Sequence, residues 1–251
     1  MIHNKLLNDC IEKEIAGTDY VCPNADKPVF WAMIGEINAK CNTSVKYLAE
    51  LDAFHVIGAG AIVAKYIKDF SCESVKAYLI PQLVLDRVTD CDKIIFHMYL
   101  QFRKSNEYIS APGKPAPSHI CTRYDSAFHT LKSKRIASDI VKVLSSPRDA
   151  FYLPLTTKLL ASWKVPALKP ILLSFLNPGA VTIHNVGLRE DEQSCFPPFS
   201  YIRRELVFTA IYGLGYYPSI ETEAALFGYL SNPDRDIRTA ANKIYKKISS
   251  R

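Results

Sequence analysis

Apolar positions recur with a helical period over most of this chain, and nowhere more plainly than at its end. In "YLSNPDRDIRTAANKIYKKISSR" (229–251), Ile237, Ala240, Ala241, Ile244 and Ile248 fall at i, i+3, i+4, i+7 and i+11. They lay one apolar stripe along a helix, and Thr239, Asn242, Lys243, Lys246 and Lys247 take the opposite side. Asn232 stands where it can cap this helix, with Pro233 at the first helical position. Asp234 and Asp236 meet the positive end of the helix dipole, and Lys246 and Lys247 meet the negative end. Just upstream, "SIETEAALFGYL" predicts a second helix from about Ser219 to Leu230, joined to the first by a short Asn-Pro turn.

The order helix, turn, helix recurs earlier in the chain. "SYIRRELVFTAIYGLG" puts Ile202-Arg203 thirty-five residues before Ile237-Arg238, at the same place near a helix start. "KSKRIASDIVKVLSSPRDAFYLPLTTKLLASW" repeats the order around Pro147, and "SVKYLAEL" and "SVKAYLIPQL" open helices at 44 and 74. The pattern predicts about six hairpins, at 1–41, 43–69, 73–104, 125–163, 166–214 and 219–248, near the ~40 residues of a paired-helix repeat. The one weak strand candidate, around "AVTIHNVGL", has no evident partner. Two segments break the rhythm. "KSNEYISAPGKPAPSHICT" (104–122) predicts a Pro-rich loop, centred on 105–120, between halves 1–104 and 121–251 of a single helical-repeat domain. "NPGAVTIHNVGLREDEQSCFPPFS" (177–200) is an insertion between two helices and a candidate binding loop, with Glu190, Asp191 and Glu192 ahead of Phe196 and Phe199.

The span "AIYGLGYYPSIETEAALFGYLSNPDRDIRTAANKIYKKI" (210–248) resembles a HEAT-type repeat: an apolar helix, a turn with Asp and Pro, then Ile-Arg and a small residue, Ala241, in the second helix. The resemblance covers about fifty residues. It implies an all-α fold, an α-α superhelix or HEAT-like solenoid of stacked hairpins. It further implies a structural ladder in which Asp234 or Asp236 pairs with Arg238, Arg203 being the equivalent arginine one unit earlier. Pro154 stands where the fourth unit should carry its arginine, and the N-terminal half lacks the Ile-Arg pair. The alternative is an irregular helical bundle containing one HEAT-like hairpin. In a stacked array the last helix must also be its own cap, and the Lys and Asn side of 234–248 suits that role.

Composition narrows the class. With 251 residues, 48% apolar and 22% charged, the chain fits an ordinary globular protein of one or two domains. The longest uncharged apolar run, Val56 to Ala64, is far short of the ~20 residues that span a bilayer, and the N-terminus lacks the apolar core of an export signal. Seven cysteines with no C-x-x-C point to idle thiols in a reducing cytoplasm. The net charge of +6 is uneven: 1–50 carries 5 basic and 7 acidic residues, whereas 121–170 carries 9 and 3. Such a basic centre attracts an acidic protein or a nucleic acid.

Motifs for chemistry are absent. "GAG" at 58–60 lacks the third glycine and the preceding strand of a dinucleotide site, so close helix packing is the better account. His119, Cys121 and His129 straddle a loop without a fourth ligand, so no metal and no cofactor is expected. Glu221 and Glu223, two apart, do not share a helix face. There is no P-loop, no G-x-S-x-G and no His-Glu-x-x-His. No residue set asks to be catalytic, and the chain reads more readily as a binding protein than as an enzyme.

What remains is surface. Taking the apolar stripes as buried, the outward positions of the second helices form a basic concave ridge with aromatics between the charges. They are His97, Gln101 and Lys104, then Lys158, then Tyr201, Arg204 and Phe208, then Lys243 and Lys247. The expected function is a non-enzymatic, cytoplasmic protein-binding scaffold, of a size that suits an inhibitor or immunity protein covering an acidic partner, with no role at a membrane. The alternative is a nucleic-acid-binding protein resembling the HEAT-like alkylpurine DNA glycosylases, with Trp163 and Tyr212 in the aromatic roles. Against it, +6 over 251 residues is thin for a duplex track, and no inward Asp is identifiable. An enzyme of another kind, such as a bilin-lyase-like HEAT protein, is a third class.

Overall fold

A computed structural model describes residues 24–46, 48–53, 56–105, 108, 118–186 and 199–250. Among them every regular element is helical and no strand occurs, as the periodicity predicts. The α-helices are α1 (Lys27–Cys41), α2 (Leu48–Ala53), α3 (Ala59–Tyr66), α4 (Glu73–Leu85), α5 (Cys91–Phe102), α6 (Ser118–Leu131), α7 (Ala137–Leu144), α8 (Pro147–Tyr152), α9 (Pro154–Ser162), α10 (Leu168–Leu176), α11 (Phe199–Leu214), α12 (Ile220–Phe227) and α13 (Arg235–Ser249). No helix among the described residues is long and apolar enough to cross a membrane. The segment around "AVTIHNVGL" forms turns as far as Val186, with Val181 and Val186 buried and Asn185 accepting from the Thr182 amide.

The chain divides into two compact units, Met1–Ile95 and Phe96–Arg251. The division falls ahead of the Pro-rich loop. The carboxylate of Asp149 explains why 96–108 belongs with the later residues. It accepts from Tyr99 Oη (2.7 Å), Tyr108 Oη (2.7 Å), Arg103 Nε (2.9 Å) and Arg103 Nη2 (2.8 Å). At the end of the predicted Pro-rich loop, Ser118–Thr122 are helical.

In the first unit α4 packs against both α2 and α3, and α3 against α1. Ten of its thirteen residues are buried, so no single stripe marks a face. Gly60 permits the approach of α3 to α4: a Cβ there would stand 2.6 Å from the Gln82 carbonyl oxygen and 2.7 Å from Asp86 Cβ. Its amide donates to Asp86 Oδ2 at 2.6 Å, so the glycines at 58–60 start and seat a helix. Asp26, ahead of α1, serves the other end of the unit, accepting from the amides of Ser71 and Cys72 (2.8 Å each) at the start of α4.

The second unit contains two parallel rows. α6, α9, α11 and α13 pack each on the next, and α10 and α12 pack on α11 and α13 and on each other. Contacts at both ends fix the direction. Arg204 near the start of α11 meets Asp234 at the start of α13, while Tyr216 just past α11 lies under Lys247 near the end of α13. Tyr217 Oη, after α11, donates to Val165 O after α9 (2.9 Å), and Tyr229 Oη, after α12, donates to Leu176 O at the end of α10 (2.5 Å). Lys169 and Glu221 join the starts of α10 and α12 at 2.7 Å. One device, a tyrosine past a helix end tied to the carbonyl end of the corresponding earlier helix, is thus used twice. The predicted hairpins 166–214 and 219–248 are present as α10 with α11 and α12 with α13. In the closing helix Ile237, Ala240, Ala241, Ile244 and Ile248 are all buried. Its cap lies two residues later than expected. Asn232 accepts from the Asp234 amide within the turn, and Asp234 itself accepts from the amides of Asp236 and Ile237.

Candidate functional site

The sequence of α11 builds a two-sided helix. Ile202, Leu206, Val207, Ala210, Ile211 and Leu214 face the core, and Gly213 lets α10 close in, since a Cβ there would meet Leu172 Cδ1 at 2.7 Å. The opposite side carries Tyr201, Arg204, Phe208 and Tyr212 at helical spacing, with Tyr201 46% and Tyr212 38% exposed. These rings are ordered against one another and against neighbours. Phe208 and Tyr212 stack at 6.5 Å, Tyr201 meets Phe151 edge-on at 6.3 Å, and the Arg204 guanidinium lies 4.8 Å from the Phe208 ring. Tyr216, 39% exposed, continues the line with the Lys247 ammonium 5.3 Å above it. Leu155 and Lys158 are exposed on neighbouring α9, and Lys243 and Lys247 on α13.

The start of the parallel row is held by carboxylates. Asp125 of α6 accepts from the amides of Leu155 (3.0 Å) and Thr156 (2.8 Å) and from Thr156 Oγ1 (2.6 Å), capping α9 from a neighbouring helix. Burial pushes this carboxyl above its ordinary value of 3.8, against the Thr156 and Leu155 hydrogen bonds that pull it down. Arg204 bridges Asp234 and Asp236, at 2.7 Å to each, and its hydrogen bond holds Asp234 below the ordinary carboxylate range. The other end differs. Segments 132–136, 163–167, 215–218 and 246–250, which follow or close α6, α9, α11 and α13, contain no Asp or Glu. They carry Lys132, Lys134, Arg135, Lys164, Lys246 and Lys247 together with Trp163, Tyr216 and Tyr217. Lys134 Nζ stands 5.9 Å from the centre of the Trp163 ring.

Comparison with protein-family profiles, curated proteins and solved structures returns no match.

Of the residues singled out from the sequence, the structure gathers Tyr201, Arg204 and Phe208 on one helix face, with Lys158, Lys243 and Lys247 exposed on adjacent helices. Arg204 is engaged by two acids, so it joins α11 to α13 as much as it faces solvent. The acids expected to pair with Arg238 pair instead with Arg204, while Arg238 donates to Asn232 O at 2.5 Å. Arg203 is half-buried, and its charge is felt by Tyr229. One residue along a helix is about 100° around it, which is why Arg204 reaches the acids. His97 and Gln101 are exposed on α5 and hydrogen-bonded to each other at 3.0 Å, and Lys104 follows them exposed. Phe199 opens α11 half-buried, whereas Glu190, Asp191, Glu192 and Phe196 lie outside the described residues. Cys121 is buried, its thiol pushed up by that burial, and His129 is exposed; the side chain of His119 lies outside the described residues. Among the described residues no three His, Cys, Asp or Glu side chains gather to hold a metal. Sequence reasoning passed over Phe151, Lys134, Tyr216 and Tyr217. The signal for Lys134, Tyr216 and Tyr217 is compositional, since every segment closing the row lacks an acid, whereas nothing local marks Phe151.

Proposed function

We propose that this chain is a non-enzymatic, protein-binding helical-repeat scaffold, and that the outward face of α11 is its principal contact. The observation that carries this reading is the row Tyr201, Phe208, Tyr212 and Tyr216, exposed or half-exposed yet each set against a neighbour: Phe208 against Tyr212, Tyr201 against Phe151 and Tyr216 under Lys247. Aromatic side chains held in place before binding lose little conformational freedom on docking, and Tyr and Arg are over-represented at the centres of protein interfaces. The repeated tyrosine-to-carbonyl ties support the repeat-array part of the reading, because nearest-neighbour contacts of one kind are what a stacked array requires. Lys158, Lys243 and Lys247 around the aromatics favour a partner with an acidic surface. A cytoplasmic inhibitor or immunity protein, which works by covering its target, is the role that asks for nothing beyond such a face.

The test is a comparative capture. The full chain is used as bait, and the proteins it retains are identified, purified and measured against both the full chain and its Tyr201→Ser/Tyr212→Ser variant. The variant should bind such a partner about 100-fold more weakly. A double variant that melts like the wild type and binds every captured protein equally well removes the α11 face from the reading.

A further inference from the structure

The parallel row ends on a basic edge that shares Tyr216 and Lys247 with the α11 face and extends beyond it to Lys134, Trp163 and Lys164. Lys132 and Lys164 each follow the last turn of a helix in the left-handed region, with φ of 48° and 55°. That places both just beyond the carbonyl ends of α6 and α9. Lys134 lies over Trp163 and Lys247 over Tyr216, so cation and ring alternate from α6 to α13. The helix dipole accounts for a cation at each end and for the lack of any acid in the four closing segments, but not for the aromatic partners of Lys134 and Lys247. The surrounding charge is also more one-sided than the composition shows. Of the three acids within 121–170, Asp125 and Asp149 are buried, and Asp139 alone meets solvent, paired with Lys142 at 2.7 Å.

We propose that this edge, formed by Lys134, Trp163, Lys164, Tyr216 and Lys247, holds an extended acidic peptide segment of the protein partner. The inference rests on the protein-binding reading above and supplies the partner's chemistry. Packed helices lie about 8–10 Å apart, and one turn of a chain in the extended polyproline II conformation, three residues, covers about 9 Å and returns to the same face. The side chains at every third position therefore meet one helix end after another, with carboxylates at Lys134 and Lys164 as the first two. An apolar or aromatic side chain falls at Tyr216, and a further carboxylate falls at Lys247. A peptide is favoured over nucleic acid for a physical reason. The carbonyl ends of four helices point toward this edge, and their partial negative charge opposes a closely spaced phosphate chain more than carboxylates set to meet individual lysines.

The experiment uses the full chain, a fluorescent peptide that carries glutamate, glutamate, phenylalanine and glutamate at successive third positions, and an oligothymidylate as the phosphate probe, all in low salt. The peptide should bind, and Lys134→Glu/Lys164→Glu/Lys247→Glu should weaken it about tenfold or more. Lys40→Glu/Lys93→Glu/Lys142→Glu makes the same change in net charge while keeping Lys134, Lys164 and Lys247, and should leave binding as in the wild type. If the control weakens binding equally, the effect is net charge and the proposal falls. It also falls if the peptide fails to bind or if oligothymidylate binds more tightly. The Tyr201→Ser/Tyr212→Ser variant separates the two readings. A captured partner that is lost by this variant but kept by the lysine reversal overturns the edge and leaves the α11 face standing, and a captured partner kept by both removes the broader reading as well.

Discussion

The two ends of the parallel row use charge in opposite ways. At the starting ends of α9 and α13 the acids are engaged inside the fold: Asp125 caps α9, and Asp234 caps its own helix and holds Arg204. At the finishing ends Lys132, Lys134, Lys164 and Lys247 stand exposed, in segments that contain no acid. Both arrangements suit the helix dipole, so the sign of the charge at each end is expected on stability grounds alone. What differs is the counter-charge: at the starting ends, ion pairs among the described residues join one helix to the next, and at the finishing ends the proposed peptide would supply it.

That contrast breaks most readily at its buried side. Asp149 is fully buried and accepts from two phenols and one guanidinium, and burial together with this carboxylate pushes both phenols, Tyr99 and Tyr108, up from their ordinary range. Asp149→Ala leaves the half-buried Arg103 without its acid and two tyrosine hydroxyls without an acceptor. It should cost about 4 kcal/mol in a denaturant titration. A loss under about 1 kcal/mol would mean that 96–108 is held by aromatic packing alone.

The next effect is smaller and has a sign that distinguishes two acids at the same end of the row. The Asp125 carboxyl is raised, so between the ordinary value of 3.8 and its native value the folded chain holds a proton that the unfolded chain has released. Stability from this group is therefore greatest at low pH and falls as pH rises through that window. Asp234 is lowered, so its contribution is present above 3.8 and is lost as pH falls toward its native value. Melting temperature followed against pH should show the two trends removed separately. Asp125→Asn, which also costs roughly 2 kcal/mol through lost acceptors, flattens the first. Arg204→Gln flattens the second. Two variants with the same altered profile would mean that the carboxylates are not differently placed.

Legibility followed range. The apolar stripe of α13 was plain because helical periodicity is local, and the α11 face was plain for the same reason. The cap of α9 was not, because its acceptor, Asp125, lies thirty-one residues before Thr156. The seating of α3 depends likewise on Asp86, twenty-six residues after Gly60. In α4 burial on nearly every side erased the amphipathic signal. The ladder was misassigned: Asp234 and Asp236, expected to pair with Arg238 in their own hairpin, pair with Arg204 of the preceding helix, and Arg203 beside it leaves that helix in another direction. The finishing edge was legible in part: the basic excess of 121–170 was visible, but not that two of its three balancing acids are buried.

The smallest expected effect runs against the usual direction of mutation. Lys132 and Lys164 occupy the left-handed position after a helix, where a residue with a Cβ is roughly 1–2 kcal/mol worse off than in the right-handed region and glycine is the common occupant. Glycine has more freedom to lose on folding, and each lysine has a favourable interaction with the helix end, so part of the gain is offset. Lys132→Gly and Lys164→Gly should each stabilise the chain by about 0.5 kcal/mol, read as a small rise in melting temperature. Lys164→Gly should also weaken the glutamate-peptide complex, whereas Lys132→Gly, outside the proposed contact, should leave it unchanged. A gain in stability with a loss in binding at 164, and only the gain at 132, would show one lysine kept at this end of the row for its charge against the preference of the backbone. Equal binding by both variants would leave the pair as ordinary helix ends and restrict the functional charge to Lys134 and Lys247.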